Sequence, residues 1–278
     1  MAVDTYALIT LAALKTELGI TALTYDTLLE DSIDRATGTI ESYCRRKLKS
    51  RRFYEWHDAG GQAQLRVKNT PLSSVYYVGY GNQLALTVSS TIASDVAVLL
   101  IVEEDRIRLA RRASNGTETA TSLLFATYNT AGELATAIAA TTGYSATVGT
   151  DCPAQWIRRI GGRDLQTTSC LLYYPDRGDL DAEVDADRGI LNLHRTLADA
   201  GLPRGSLSVL IEYDGGYVTV PYDLERAAIM LATRYFYGRQ RDTGVTTQSI
   251  GDYSETIAVG DALNAEVKEL LSPYRRLR

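Results

Sequence analysis

The sequence predicts an α+β protein: two N-terminal helices, two C-terminal helices, a small antiparallel sheet between them, and an α+β module inserted in the middle. Three observations carry this. Apolar residues recur at helical spacing near both ends of the 278-residue chain. Between them lie short runs rich in β-branched and aromatic residues, bounded by glycine and proline. From about Asn82 to Glu183 the character changes to strands around one short helix, a length that suits a domain of its own. The expected division is therefore 1–82 with 184–278 as one unit and 83–183 as another.

Thr10 is placed to cap the first helix, with Leu11, Leu14 and Leu18 on one face and Gly19 as its stop. The second runs through "TYDTLLEDSIDRATGTIESYCRRKL", capped by Thr24, with Leu28, Leu29, Ile33, Ala36, Ile40, Tyr43 and Leu48 at helical spacing. Asp26, Glu30 and Asp31 near its start and Arg45, Arg46 and Lys47 at its end suit the helix dipole. Strands follow in "RRFYEWHD", "AQLRVKN" and, after Pro71, "SVYYVGYG". In the middle segment "ALTVSS", "VAVLLIVEEDRIRLARR" and "SLLFATY" read as strands. "NTAGELATAIAATTG" reads as a helix, with Leu134, Ala137 and Ile138 inward and Gly143 as its stop. After Asp187, "GILNLHR" and "SLSVLIEYDGGY" are strands. Pro221 then opens a helix whose buried stripe is Leu224, Ala227, Ala228, Leu231 and Tyr235. A polar loop containing "TTQSIGDYSET" precedes the last helix, capped by Asp261, with Val267, Leu270 and Leu271 inward.

The composition is that of a globular protein, 45% apolar and 23% charged. The longest apolar run, Val96 to Val102, suits a buried strand and is too short to span a membrane. The start, "MAVDTYALITLAAL", has Asp4 where a signal peptide needs basic charge, so it reads as mature structure in a protein kept in a cytosol. Cys44, Cys152 and Cys170 form no CxxC pair and read as buried thiols. A net charge of −5 opposes gripping DNA by its backbone. Eighteen Tyr against three Phe suit half-wet contact faces, or Tyr simply takes the place of Phe on sheet faces.

Catalytic equipment is not apparent. His57 and His194, the only histidines, neighbour no nucleophile elbow or cysteine partner and read as structural strand residues. "VGYGNQ" and "RIGGRD" lack phosphate-loop spacing and read as turns. In "DRGDLDAEVDADRG" the acids Asp179, Asp181, Glu183, Asp185 and Asp187 alternate. A calcium loop begun at Asp179 would need glycine and glutamate where Val184 and Ile190 stand, so the run reads as a solvated connector. No cofactor and no metal are expected. Basic clusters remain at Arg45–Arg52, Arg158–Arg163 and the terminal "PYRRLR", whose Tyr274, Arg275, Arg276 and Arg278 are residue types enriched at binding hot spots.

Taken in order, "TLAALKTELGI", "DTLLEDSIDRATGTIESYCRRKL", "NTPLSSVYYVGYG", "GILNL", "VLIEYDGGYVTVPYDLERAAIMLATRYFYGR", "QSIGDYSETI" and "LLSPYRR" resemble the head–tail connector (adaptor) proteins of long-tailed bacteriophages. The resemblance covers residues 6–82 and 184–278; the compact members cross the intervening region by a short connection. It implies a structural virion protein rather than an enzyme. Such a protein forms a dodecameric ring beneath the portal at the capsid vertex, assembled in the host bacterial cytoplasm. The ring would meet the portal and a downstream neck or tail protein, and pass DNA through its lumen without sequence-specific binding. No membrane is involved. By the same analogy, the contact candidates are Arg234, Tyr235, Tyr237 and Arg239 at a helix end, Ile250 and Tyr253 in the following loop, and Tyr274, Arg275, Arg276 and Arg278 in the tail. The rivals are a tail-completion or stopper protein and, further off, a hydrolase with its site in the inserted module.

Overall fold

The computed structural model of the protein describes residues 3–59, 64–178, 182–193, 205–238, 247–250, 253–256 and 263–276. Its first helix, α1 (Leu11–Leu18), starts where the Thr10 hydroxyl accepts from the Ala13 N–H at 3.2 Å and stops at Gly19, whose φ of 65° suits a residue without Cβ. The 3-10 turn Leu23–Tyr25 leads into α2 (Asp26–Cys44). Thr24 therefore lies inside that turn and does not cap α2, contrary to expectation, and Leu28 faces solvent at 37% exposure. The helix also ends earlier than expected. Arg45 takes a left-handed φ of 57°, so the basic run lies beyond the helix. Buried Glu41 draws that run back, accepting from Lys47 Nζ at 2.6 Å and Arg51 Nη2 at 2.8 Å.

The C-terminal helices are α4 (Tyr222–Gly238) and α5 (Ala265–Leu271); α3 (Ala131–Ala140) belongs to the middle segment. Asn264 caps α5, accepting from the Val267 N–H at 2.9 Å. The expected cap, Asp261, lies outside the described residues. Leu14, Leu29, Ile33 and Ile40 from one end of the chain share a core with Leu224, Leu231 and Leu271 from the other. Each such fully buried side chain contributes roughly 1.5–3 kcal/mol, so the chain ends hold one another in place.

Beside the helices stands an antiparallel sheet in the order β1 (Arg51–Ala59), β14 (Gly205–Gly215), β3 (Leu72–Tyr80), β11 (Arg177–Gly178). A smaller sheet, β12 (Ala182–Asp185), β13 (Ile190–Leu193), β2 (Gln64–Arg66), completes its core through Leu65, Val67 and Leu191. The expected strand "AQLRVKN" thus pairs over only three residues.

The middle segment has a core cluster of its own, drawn from residues between Ala85 and Leu172. Two sheets build it. One has the order β10 (Cys170–Tyr174), β4 (Gln83–Ser90), β8 (Tyr144–Val148). The other has the order β7 (Glu118–Leu124), β6 (Arg106–Arg112), β5 (Ala97–Val102), β9 (Ile160–Asp164). The helix α3 (Ala131–Ala140), capped by Thr130, packs Leu134 and Ile138 into this core. The expected turn "RIGGRD" is in fact β9, paired with β5: neighbours on the sheet override the poor strand propensity of Gly161 and Gly162. The polar loop also departs from expectation, because Thr247–Ile250 (β15) and Tyr253–Thr256 (β16) pair as an antiparallel hairpin.

Candidate protein-contact surfaces

The far end of α4 and the C-terminal tail carry the contact candidates. Phe236 is buried, and packs edge-on against Tyr25 and Tyr237 with ring centroids 5.9 and 5.3 Å away. Tyr237 is 46% exposed and Arg234 is exposed. Tyr235 differs from both. It is half-buried, its hydroxyl lies 2.9 Å from the Thr39 hydroxyl, and the Arg35 guanidinium sits 5.1 Å from its ring centre. Tyr235 therefore ties α4 to α2 and lines one wall of an open groove with Gly38, Ser42 and Leu263. Arg239 and Arg278 lie outside the described residues, while Ile250 and Tyr253 stand opposite each other next to the hairpin turn.

After α5 the chain makes a 3-10 turn, Ser272–Tyr274, and returns to the end of α2. The Arg276 N–H donates to the Cys44 carbonyl at 3.0 Å, satisfying one of the orphan acceptors at that helix end. Tyr274 packs edge-on against Tyr217 at 5.8 Å, and burial raises its hydroxyl pKa. Arg275 lies 5.3 Å from the ring centre of Tyr43. Together Arg275 and Arg276 form part of a pocket of about 370 Å³ that also takes in Arg46, Arg66, Lys68 and Arg188. Of these, the sequence singled out only the tail arginines and Arg46, because Arg66, Lys68 and Arg188 are scattered along the chain and meet only through β2 and β13 pairing.

A second concentration of side chains joins the middle segment to the main sheet. Trp156 stacks on Tyr77 at 4.2 Å with planes 4° apart, and its Nε1 donates to Glu212 at 3.1 Å. Arg158 donates to the Gly81 carbonyl at 3.3 Å and lies 5.4 Å from the Trp56 ring centre. Arg159 donates to the Tyr54 carbonyl at 3.3 Å. The Tyr77 hydroxyl donates to the Pro175 carbonyl at 3.1 Å, and burial pushes that hydroxyl up to about 12. The basic cluster Arg158–Arg163 thus contributes to an internal joint; nothing in the loop "PAQW" marked Trp156 as its centre.

His57 lies 3.2 Å from Glu55, a buried carboxylate that also accepts from Tyr213 Oη at 2.6 Å and the Lys68 N–H at 3.1 Å. Burial pushes Glu55 up, but the close approach of His57 and the hydrogen bonds from Tyr213 and the Lys68 N–H outweigh it and hold the carboxyl below its ordinary range. The arrangement cross-links β1, β14 and the segment after β2, so His57 acts structurally; His194 lies outside the described residues. Burial raises Cys44 to about 11 and Cys152 to about 12, and Cys170 is half-buried rather than buried. Among the described residues, no three His, Cys, Asp or Glu side chains are placed to hold a metal ion, and no helix is long and apolar enough to cross a membrane. Asp185 instead accepts from the Arg188 N–H at 3.2 Å in the turn before β13, while Asp179 and Asp181 lie outside the described residues.

Residues 8–75 match the family described as "Phage gp6-like head-tail connector protein". The matched stretch runs from just before α1 through α2, β1 and β2 into β3, and lies within the first of the two parts that carry the resemblance, 6–82 and 184–278. Two solved structures are similar at a distance. One is titled "Virion of native gene transfer agent (GTA) particle", with 14% identity and a TM-score of 0.44 over 100% of this chain and 94% of that one. The other is titled "Neck of empty GTA particle computed with C6 symmetry", with 16% identity and a TM-score of 0.41 over the same shares, 100% and 94%. Both likenesses are too low to carry an argument about function. No curated protein matches the sequence.

Proposed function

We propose, from the match of residues 8–75 to the gp6-like head–tail connector family, that this chain is a structural neck protein of a phage-like particle and that its copies form a ring between portal and tail. The observation that carries the reading is the family match over the N-terminal helices. Its companion is the core those helices share with α4 and α5, which lets the rest of the chain complete the matched unit. In this reading 1–82 and 184–278 make the connector unit and 83–183 is an insertion, whose last residues already pair back onto it through β11 and β12.

The ring is a dodecamer, virion-bound, non-enzymatic, and assembled in the host cytoplasm. A net charge of −5 per copy supports a lumen that lets DNA pass without holding it. Arg234, Tyr237 and the tail residues Tyr274, Arg275 and Arg276 are the proposed contacts with the portal and with neighbouring copies. Tyr235 contributes by fixing the α4 end that presents Arg234 and Tyr237. The experiment is light scattering on the purified chain, alone and mixed with portal complex. A ring-sized species, alone or nucleated by portal, supports the proposal; a monomer that ignores portal refutes it. Deleting residues 273–278 without loss of portal binding would remove the tail from the contact.

A further inference from the structure

The pocket at the C-terminal tail has an unusual charge balance for a chain with net charge −5. Six cationic side chains line it (Arg46, Arg66, Lys68, Arg188, Arg275 and Arg276) against a single carboxylate, Asp187. Among the described residues, little neutralises them. Lys68 and Arg188 each reach a carboxylate only at 3.8 Å, to Glu55 and Asp185. Arg46 donates to the neutral Thr70, at 2.5 Å to its hydroxyl and 3.1 Å to its carbonyl. The Arg46 Nε is buried and has no hydrogen-bond partner among the described residues. Arg66, Arg275 and Arg276 pair with no carboxylate among those residues. Two like charges 4 Å apart repel by about 1 kcal/mol in water and about 4 kcal/mol near a protein surface. The described acidic residues nonetheless leave these cations gathered.

We propose that this pocket receives an acidic protein segment: an extended stretch carrying two or more Asp or Glu side chains, which dock as carboxylates on the guanidinium groups. Shape favours a protein over nucleic acid. The cations converge on one concavity of about 370 Å³, whereas duplex phosphates run along a convex surface and need a cationic stripe. Guanidinium forks match carboxylates in pairs, and five of the six cations are arginines. Val67, Pro273 and Tyr217 provide an apolar wall for the methylene stems of such side chains. The tail that closes the pocket is held by the Arg276–Cys44 bond, so the site exists before any partner arrives. Arg275 and Arg276 are shared with the proposed portal contact, but the inference rests on charge and shape, and peptide binding is read separately from ring formation.

The test is fluorescence anisotropy with the full chain and a labelled hexaglutamate peptide at low salt, with inorganic phosphate and a short DNA duplex as competitors. The expected result is saturable binding that weakens about tenfold or more in the double variant Arg66→Glu, Arg276→Glu, a loss of about 1.4 kcal/mol or more. Neither side chain has a hydrogen-bond or ion-pair partner among the described residues, so the variant's melting temperature should stay level and exclude misfolding. Asp187→Asn, which removes the lone acid, should tighten binding. No binding of the peptide, or binding indifferent to these substitutions, overturns the proposal. So does phosphate competing as well as the peptide, which would make this a single-anion site, or duplex DNA binding more tightly than the peptide, which would make it a nucleic-acid site.

Discussion

Replacing Trp156 with alanine tests whether one aromatic stack couples the middle segment to the main sheet. The ring lies 4.2 Å from Tyr77 and parallel to it, an arrangement worth about 0.5–1.5 kcal/mol beyond area burial. Its Nε1 bond to the Glu212 carboxylate adds roughly 1.5–3 kcal/mol, as a hydrogen bond to a charged group. Glu212 keeps Arg52 as a partner at 3.3 Å, so the carboxylate is not stranded and the upper end of the sum does not apply. The expected cost is roughly 2–4 kcal/mol, and it should fall on the joint. Amide exchange should quicken at Ala154–Trp156, β3 and β11, while β4 and α3, held by their separate core, keep their protection. Trp56 on β1 remains as the only tryptophan, and its fluorescence reports the main sheet through urea unfolding. A loss below about 0.5 kcal/mol would refute the reasoning, and so would exchange that rises equally through β4 and α3.

Arg45→Gly should stabilise the protein by about 1 kcal/mol, seen as a higher urea midpoint, because Arg45 holds a left-handed φ of 57° that glycine adopts without Cβ strain. Cys44 and Cys152, raised to about 11 and about 12 by burial, should resist a thiol reagent at pH 8 that modifies all three thiols in denaturant. The same two thiols stay protonated in the fold while unfolded ones ionise from about pH 8.5, so stability should fall as pH rises from there. Glu55 is shifted the other way: its contribution is present above its ordinary value of 4.5 and is lost as pH falls through the lower folded value. Glu55→Gln should accordingly lower stability at pH 7 by about 1–3 kcal/mol and flatten the acid limb of the stability profile.

The helices were readable in the sequence because their signals are local. Thr10 and Gly19 bracket α1 by short-range hydrogen bonding, and the stripes of α2 and α4 follow from spacing alone. The failures were also local in origin. Thr24 has the chemistry of a cap but stands in a 3-10 turn, and α2 stops at Arg45 although the apolar stripe continues to Leu48. Leu48 is buried all the same, held by its N–H to Glu41 at 3.3 Å rather than by helix. The strand β9 was hidden because Gly161 and Gly162 carry no strand propensity; pairing with β5 decides their state, and that partner lies some sixty residues away. The cationic pocket was equally hidden. Its members come from four separate parts of the chain, and only the folded register brings Arg66 beside Arg188 and the tail.

The joint and the pocket have a common consequence. Trp156, Arg158 and Arg159 reach the main sheet from one continuous stretch and engage β3, β14 and β1, or the turn after β3, at separate points. Tyr54, Glu212 and Tyr77 are cross-strand neighbours on β1, β14 and β3, so these contacts tie the middle segment to one row of the main sheet, with Gly81 further along. The sheet is fixed in turn to the helices: Lys49 bridges to Tyr217 beside β1 and β14, and the Tyr217 N–H donates to the Leu48 carbonyl at 2.7 Å. Tyr217 also forms part of the pocket wall and contacts Tyr274 of the tail. A partner seated on the tail would therefore rest on Tyr217, which is hydrogen-bonded to the link between α2 and β1, so the pocket wall is held in place before binding and little ordering cost remains.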